Sequence, residues 1–186
     1  MSELTTERLL LRHWRPGDRD PFAEMNADPE VMRYFPATLT RRSSDELADR
    51  ITGDVARWGW GLWALEERAT GRFVGFTGLA HVEFEASFTP AVEVGWRLTR
   101  AAWGHGYATE AARAAAAFAF ESLDLAEIVS FTAEHNARSR AVMRRLGMRH
   151  DEAHAFDHPH VSDARLRRHV LYRLSASDWA ASAPTR

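Results

Sequence analysis

Residues 92–112 read VEVGWRLTRAAWGHGYATEAA. Val92, Val94, Trp96 and Leu98 alternate as in a β-strand, and Tyr107 opens an alanine-rich stretch of high helix propensity. Between them, Trp103-Gly104-His105-Gly106 is a tight turn. Glycine lets a backbone come close to a ligand, and a helix start offers unpaired N–H groups with partial positive charge. Strand, glycine turn and helix start together make a site for phosphate or pyrophosphate. Gly-x-Gly alone is weak, since any strand-to-helix turn can require glycine.

Working outward, residues 8–14 read as a first strand stopped by Pro16-Gly17-Asp18. Asp20-Pro21 and Asp28-Pro29 each look like an N-cap followed by proline, opening two short helices that end near Asn26 and Tyr34. Ser43 and Glu46 have capping-box spacing, and the helix they start should stop at Gly59. Residues 60–66 and 73–79 read as strands joined by a turn at Thr70-Gly71, with 91–98 as a third. After the helix at 107–123 come a strand at 128–133, a helix at 137–146 closed by Gly147, and strands near 148–151 and 168–174. The early strands should be antiparallel. The strand–helix–strand unit from 91 to 133 implies a parallel pair with a right-handed crossover. The fold class is a mixed α/β sheet.

Two other phosphate-binding motifs do not fit. A Walker loop needs Gly-Lys-Ser/Thr, which this chain lacks. A dinucleotide fingerprint asks for a small residue where Thr109 stands, and belongs near the start of its fold.

Glu93-Val94-Gly95-Trp96 followed by residues 103–112 resembles the acetyl-CoA-binding segment of the GCN5-related N-acetyltransferases, especially the branch that acetylates ribosomal-protein N-termini. The superfamily's Gln/Arg-x-x-Gly-x-Gly/Ala pattern falls on Trp103, Gly106 and Ala108, with Trp103 departing from it. Asn136-Ala137-Arg138-Ser139 and Leu146-Gly147-Met148 resemble a second block of that branch, and Thr6-Glu7-Arg8-Leu9 and His169-Val170-Leu171-Tyr172 fit its two ends. The resemblance implies one acyl-CoA N-acyltransferase domain over residues 1–186, a mainly antiparallel twisted sheet with a central parallel pair flanked by helices. It implies acetyl-CoA as co-substrate, no metal, and an amine acceptor attacking the thioester directly. Homodimers are an expectation at the same level.

Residue roles follow from the resemblance and from chemistry. Pyrophosphate contacts are expected from Trp103, Gly104, His105, Gly106, Tyr107, Ala108 and Thr109. Gly95 and Trp96 are expected to offer backbone N–H donors to the oxyanion, with a bulge at Gly95 freeing them. Glu93, a carboxylate in an otherwise apolar strand, is the candidate general base; simple strand alternation toward water would also explain it. Ser139 is the candidate to protonate the departing thiolate and Asn136 to orient the cofactor, although both suit a plain helix start. Glu110 suits the positive end of a helix.

Acceptor identity stays open between a peptide N-terminal α-amine and a small-molecule amine, with Glu83, Glu85, Glu93 and Asp157 able to attract either. A non-catalytic acyl-CoA-binding module is the reading from another class. Trp58, Trp60, Trp63 and Trp96 read as core, with Trp60 and the segment 84–88 as alternative candidates to line an acceptor site. His154, Asp157, His158 and His160 read as a surface loop rather than a metal site, with Asp157 or His158 able to border the acceptor. Arg165, Arg167, Arg168 and His169 read as a solvated basic face.

With 186 residues and a formal net charge of −2, nothing points to nucleic acid. Absence of cysteine removes disulfides, cysteine nucleophiles and thiolate metal sites. Charges break up the first twenty residues and no apolar run reaches the ~20 residues of a membrane span, so a cytoplasmic protein is expected.

Overall fold

A computed structural model describes residues 2–182. Its centre is an eight-stranded sheet in the order β1-β2-β3-β4-β5-β6-β8-β7. The strands are β1 (Leu4–Thr5), β2 (Leu9–Arg12), β3 (Leu62–Glu67), β4 (Arg72–His81), β5 (Val92–Leu98), β6 (Glu127–Ala133), β7 (Arg149–Asp157) and β8 (Arg168–Ser175). All neighbours are antiparallel except β5 and β6, the parallel pair expected from the strand–helix–strand unit. That pair touches at one register position, Glu93 opposite Val129, and then splays apart.

Helices α1 (Arg19–Ala27) and α2 (Arg41–Trp58) cover one face of the sheet; α3 (Tyr107–Glu121) and α4 (Ala137–Arg145) cover the other. Two short helices, α5 (Ala164–Arg167) and α6 (Ala176–Ser182), flank β8 and had no counterpart in the sequence reading. Strand alternation sorts the side chains. Val94 and Leu98 join the core beneath α3, while Val129 and Phe131 face the other way into a cluster with Phe84, Phe88 and Phe156. Helix α3 lies close on β4 and β5 because its inward residues are alanines. Ala111, Ala112, Ala115, Ala116 and Ala119 are fully buried.

Helix starts differ from the sequence reading for identifiable reasons. Helix α2 begins at Arg41, because the Thr40 hydroxyl rather than Ser43 accepts the cap bond, from the Ser43 N–H at 3.2 Å. It ends as expected on Gly59, at φ 75°. No helix follows Asp28-Pro29: the Asp28 carboxylate accepts the Glu30 N–H at 2.8 Å and holds a series of turns. Helix α1 starts one residue before Asp20. Strand β7 runs on to Asp157, so His154 and Asp157 lie in a strand and not in a loop.

Strand β4 requires glycine at Gly78. Its φ is +151°, and a Cβ there would lie 2.2 Å from the Gly61 carbonyl oxygen and 2.8 Å from Leu62 Cα. Both obstacles are backbone and cannot swing away. Gly78→Ala is therefore expected to cost at least the ~1–3 kcal/mol of an overpacked core, read as a lower urea midpoint at unchanged m-value.

Candidate functional site

The splay between β5 and β6 opens a groove of about 1470 Å³. Backbone bonds fix which groups face it. Thr99 N–H donates to the Val74 carbonyl and Val82 N–H to the Ala91 carbonyl, so odd-numbered residues of β5 face β4. Even-numbered Val94 and Trp96 face β6, and past the Glu93–Val129 contact Trp96 is the first to meet the gap. The register with β4 runs through Gly95 without a bulge, and the Gly95 carbonyl accepts the Thr77 hydroxyl at 2.8 Å. The expected bulge is thus replaced by strand splay, and the Gly95 N–H is turned toward β4. Gly95 still lines the groove: a Cβ there would come to 3.8 Å from a Glu93 carboxylate oxygen, so its bare backbone keeps space open beside Glu93.

At the groove's far end is the glycine turn. Gly104 and Gly106 have φ of 82° and 81°, a conformation that L side chains resist. Gly106 is the N-cap of α3, and no side chain caps that end. The first helical bond runs from Glu110 N–H to Gly106, leaving the N–H groups of Tyr107, Ala108 and Thr109 without helical acceptors. Trp103, Gly104, Gly106, Tyr107, Ala108 and Thr109 all line the groove. His105 does not: its carbonyl accepts Arg8 Nη1 at 2.8 Å and its ring stacks on Tyr107. Glu110 does more than suit the helix dipole, binding the Thr6 hydroxyl (2.6 Å), the Arg8 N–H (2.9 Å) and the Arg8 guanidinium (2.6 Å). It fastens the β1–β2 turn to the start of α3, which explains the Thr6–Leu9 segment.

Sequence reasoning missed the cationic rim. Arg113, Arg138 and Arg145 reach the groove from α3 and α4. The Arg138 guanidinium lies 4.3 Å from the centre of the Trp103 ring, whose indole N–H donates to the Leu98 carbonyl at 3.1 Å. Trp103 thus supplies a platform for a cation. Arg138 sits inside the Asn-Ala-Arg-Ser block, but only tertiary structure reveals what it faces. The donor set of unpaired N–H groups and arginines suits a diphosphate.

Asn136 and Ser139 stand on the opposite wall. Asn136 Oδ1 accepts the Ser139 N–H at 3.2 Å, and its Nδ2 donates to Ser139 Oγ (3.1 Å) and Thr132 Oγ1 (2.9 Å). Asn136 caps α4 and also holds the serine hydroxyl at the groove surface.

A second cavity, of about 330 Å³, lies on the α2 side of β5 and is walled by Trp58, Trp60, Leu62, His81 and Phe84 among others. Trp60, Phe84 and Glu83, three of the candidates for an acceptor site, line this one cavity. Glu85 and Asp157 line neither cavity, and Asp157 pairs with Arg168 at 3.4 Å. Trp58 is 44% exposed and does not belong to the core. Among the described residues only Glu93, Phe131, His158 and His160 border both spaces. Glu93 forms no hydrogen bond or ion pair among the described residues, and burial pushes its carboxyl up to about 8. His158 is pushed down to about 4, chiefly by burial and then by His169 and His160. His169, read from sequence as part of a solvated basic face, is 7% exposed and packs behind His158. Among the described residues no group of His, Asp or Glu side chains is arranged to hold a metal ion, and no helix is long and apolar enough to cross a membrane.

A parallel strand pair that splays apart, with a glycine turn and an uncapped helix start beside it, is the arrangement that the resemblance to acyl-CoA-dependent transferases implies. Residues 8–149 match the acetyltransferase (GNAT) domain family, and the chain belongs to that family. It is 33% identical to the FsC-acetyl coenzyme A-N(2)-transacetylase of Aspergillus fumigatus over 95% of this chain and 77% of that protein. A GNAT-family acetyltransferase from Bacillus anthracis superposes with a TM-score of 0.79 at 21% identity, covering 95% of this chain and 99% of the other. The ribosomal-protein-S5-alanine acetyltransferase of Vibrio fischeri superposes with a TM-score of 0.74 at 16% identity, over 96% and 99% of the two chains. The protein is an acetyl-CoA-dependent N-acetyltransferase.

Proposed function

We propose that this domain, spanning the chain, acetylates a primary amine by direct attack within a ternary complex. Acetyl-CoA would lie in the β5–β6 groove and the amine would enter through the aromatic cavity. The observation that carries this reading is the position of Glu93, an unpartnered carboxylate on the boundary between the two spaces. The Tyr107–Thr109 N–H groups and Arg138 would hold the diphosphate, and the Trp96 N–H would meet the acetyl oxygen. Glu93 would take the proton as nitrogen attacks, while Ser139 would supply one to the departing thiolate. C–N bond formation and C–S cleavage then leave the amide and free CoA; Glu93 releases its proton to solvent and Ser139 regains one from it, so the protons balance over the cycle.

We take the acceptor to be a peptide or protein N-terminal α-amine, as in the ribosomal-protein branch. Support comes from proton affinity. A carboxyl at about 8 matches an α-amine, with its reference value near 7.7–8.0, far better than a lysine at ~10.4. A small-molecule amine is the second reading. The volume and aromatic walls of the cavity favour it, and so does the N(2)-transacetylase name of the Aspergillus relative.

Thiol release from acetyl-CoA, followed with a panel of N-terminal peptides and small amines, separates the two. Release with peptides alone supports the first; release with small amines alone moves the acceptor class. If no amine releases thiol, the proposal fails. Ser139→Ala is expected to lower kcat by up to ~10²-fold with little change in KM for acetyl-CoA. Because Asn136 caps the backbone N–H of residue 139, α4 keeps its start in that variant.

A further inference from the structure

The wall between the two cavities contains a group for which transfer through Glu93 and Ser139 has no use. The imidazole of His158 sits tilted between the rings of Phe84 (4.8 Å) and His169 (4.9 Å), with Phe131 at 6.0 Å. Its backbone N–H is tied to the Arg167 carbonyl at 2.9 Å, so the ring has little freedom. The backbone N–H of His160 donates to His158 Nδ1 at 3.2 Å. Nδ1 is therefore the acceptor nitrogen, and in the neutral ring the proton resides on Nε2. Nε2 has no partner among the described residues, yet it is not a buried unpaired atom. His158 itself lines both spaces, as Glu93 does.

We propose that His158 is a catalytic hydrogen-bond donor, its Nε2–H joining the Trp96 N–H in stabilising the oxyanion that forms on the acetyl group. This rests on the two-cavity reading above. Donors fixed in a water-poor site where charge develops lower a barrier without having to reorganise. The ionisable groups packed near the ring are His160 and His169, and Glu93 lines the same two spaces. His169 Nδ1 lies 3.0 Å from the Arg167 carbonyl and must donate to it, and burial lowers its pKa as well. Burial first, and then His169 and His160, disfavour the imidazolium of His158 and push its pKa down to about 4, so the ring is neutral around pH 7. A neutral imidazole of that kind is a poor base and a serviceable donor. The amine proton still leaves through Glu93, and His158 neither gains nor loses one.

His158→Phe keeps the aromatic packing and removes the donor; His158→Gln restores an N–H. With melting curves confirming that both variants fold, kcat and both KM values are measured from pH 6 to 9. His158→Phe is expected to lose ~10²–10³-fold in kcat with both KM values unchanged. Its ratio to wild type should be constant across that pH range, and His158→Gln should recover part of the loss. A raised acceptor KM at unchanged kcat would make His158 a ground-state contact, and a pH-dependent ratio would make it a proton carrier. Either result overturns the proposal, as does an unchanged kcat. Nitrogen-15 spectra should report a neutral Nε2–H ring from pH 5.5 to 8, and an imidazolium there would also overturn it. Absence of thiol release from wild type with every amine would instead remove the reading on which this rests.

Discussion

Glu93→Gln is expected to lower kcat at pH 7 by ~10²–10⁴-fold, the range for loss of one positioned general base, while making the folded protein more stable. Both effects have one cause. The Glu93 carboxylate lies beside Gly95 with no counter-charge, so burial raises its pKa to about 8. At saturating acceptor the wild-type kcat should climb with pH up to about 8 and then level off, and glutamine should abolish that rise. For stability, a carboxyl whose folded-state pKa lies above its unfolded value holds its proton more tightly when folded. Its favourable contribution is complete below the unfolded value near 4.5 and drains away as pH rises to about 8. Wild type and Glu93→Gln should therefore melt together near pH 4. The variant should pull ahead through the neutral range by up to ~1.4 kcal/mol per pH unit, with a constant gap above pH 8. A variant whose kcat stays within threefold of wild type and keeps the pH profile would rule Glu93 out as the base. Chain position alone could not separate this role from a wet strand face. The difference lies in Phe131, His158 and His160, which enclose the carboxylate from β6 and from the segment after β7.

What could be read in advance follows the range of the forces involved. Glycine turns, the alanine helix and the strand alternation are local, and they gave the element order and the single parallel pair. The Asn136–Ser139 constellation spans one helical turn and was equally visible. Errors arose where a distant partner overrode a local preference. Asp20 was expected to cap α1, yet the helix starts at Arg19 after Asp18, whose carboxylate is taken by Arg12 and by the Arg15 N–H at 2.7 Å. Gly95 suggested a bulge, whereas the opening comes from the mismatch of two strands whose pairing no local pattern encodes. Arg113, Arg138 and Arg145 carry no local signal of a site; only the packing of α3 beside α4 turns them toward one groove. His158 reads as a loop residue until β8 brings His169 behind it and the β4–β5 connection lays Phe84 against its ring.

Asp18→Ala is expected to cost ~3–5 kcal/mol of folding stability, the penalty for removing one partner of a buried ion pair. Arg12 and Asp18 are each 3% exposed, and their contact is bidentate, at 2.7 and 2.8 Å. Arg12 Nε also binds Glu66 at 2.6 Å, and Glu66 has a second, exposed partner in Arg15 at 3.1 Å. Losing Asp18 strands a guanidinium beneath the 3-10 turn at Pro16–Asp18 with one carboxylate left to it, and frees the Arg15 N–H. Asp18→Asn should cost less, since an amide oxygen still accepts one of the two bonds. Converting Arg12 to Met together with Asp18 to Leu removes both charges, and should recover much of the loss because the desolvation penalty disappears with them. Urea melts of Arg12→Met, Asp18→Leu and the double variant close the cycle that measures the coupling. A single-variant loss below ~1 kcal/mol would mean that water reaches Arg12 in the folded state. The pair also matters to chemistry, since α1 leads into the turns that carry Phe35. That ring lies 4.1 Å from the Arg97 guanidinium, which Asn26 of α1 holds through a 2.6 Å bond. Where Asp18→Ala stays folded, the groove wall formed by Tyr34, Phe35 and Arg97 should loosen, raising KM before kcat falls.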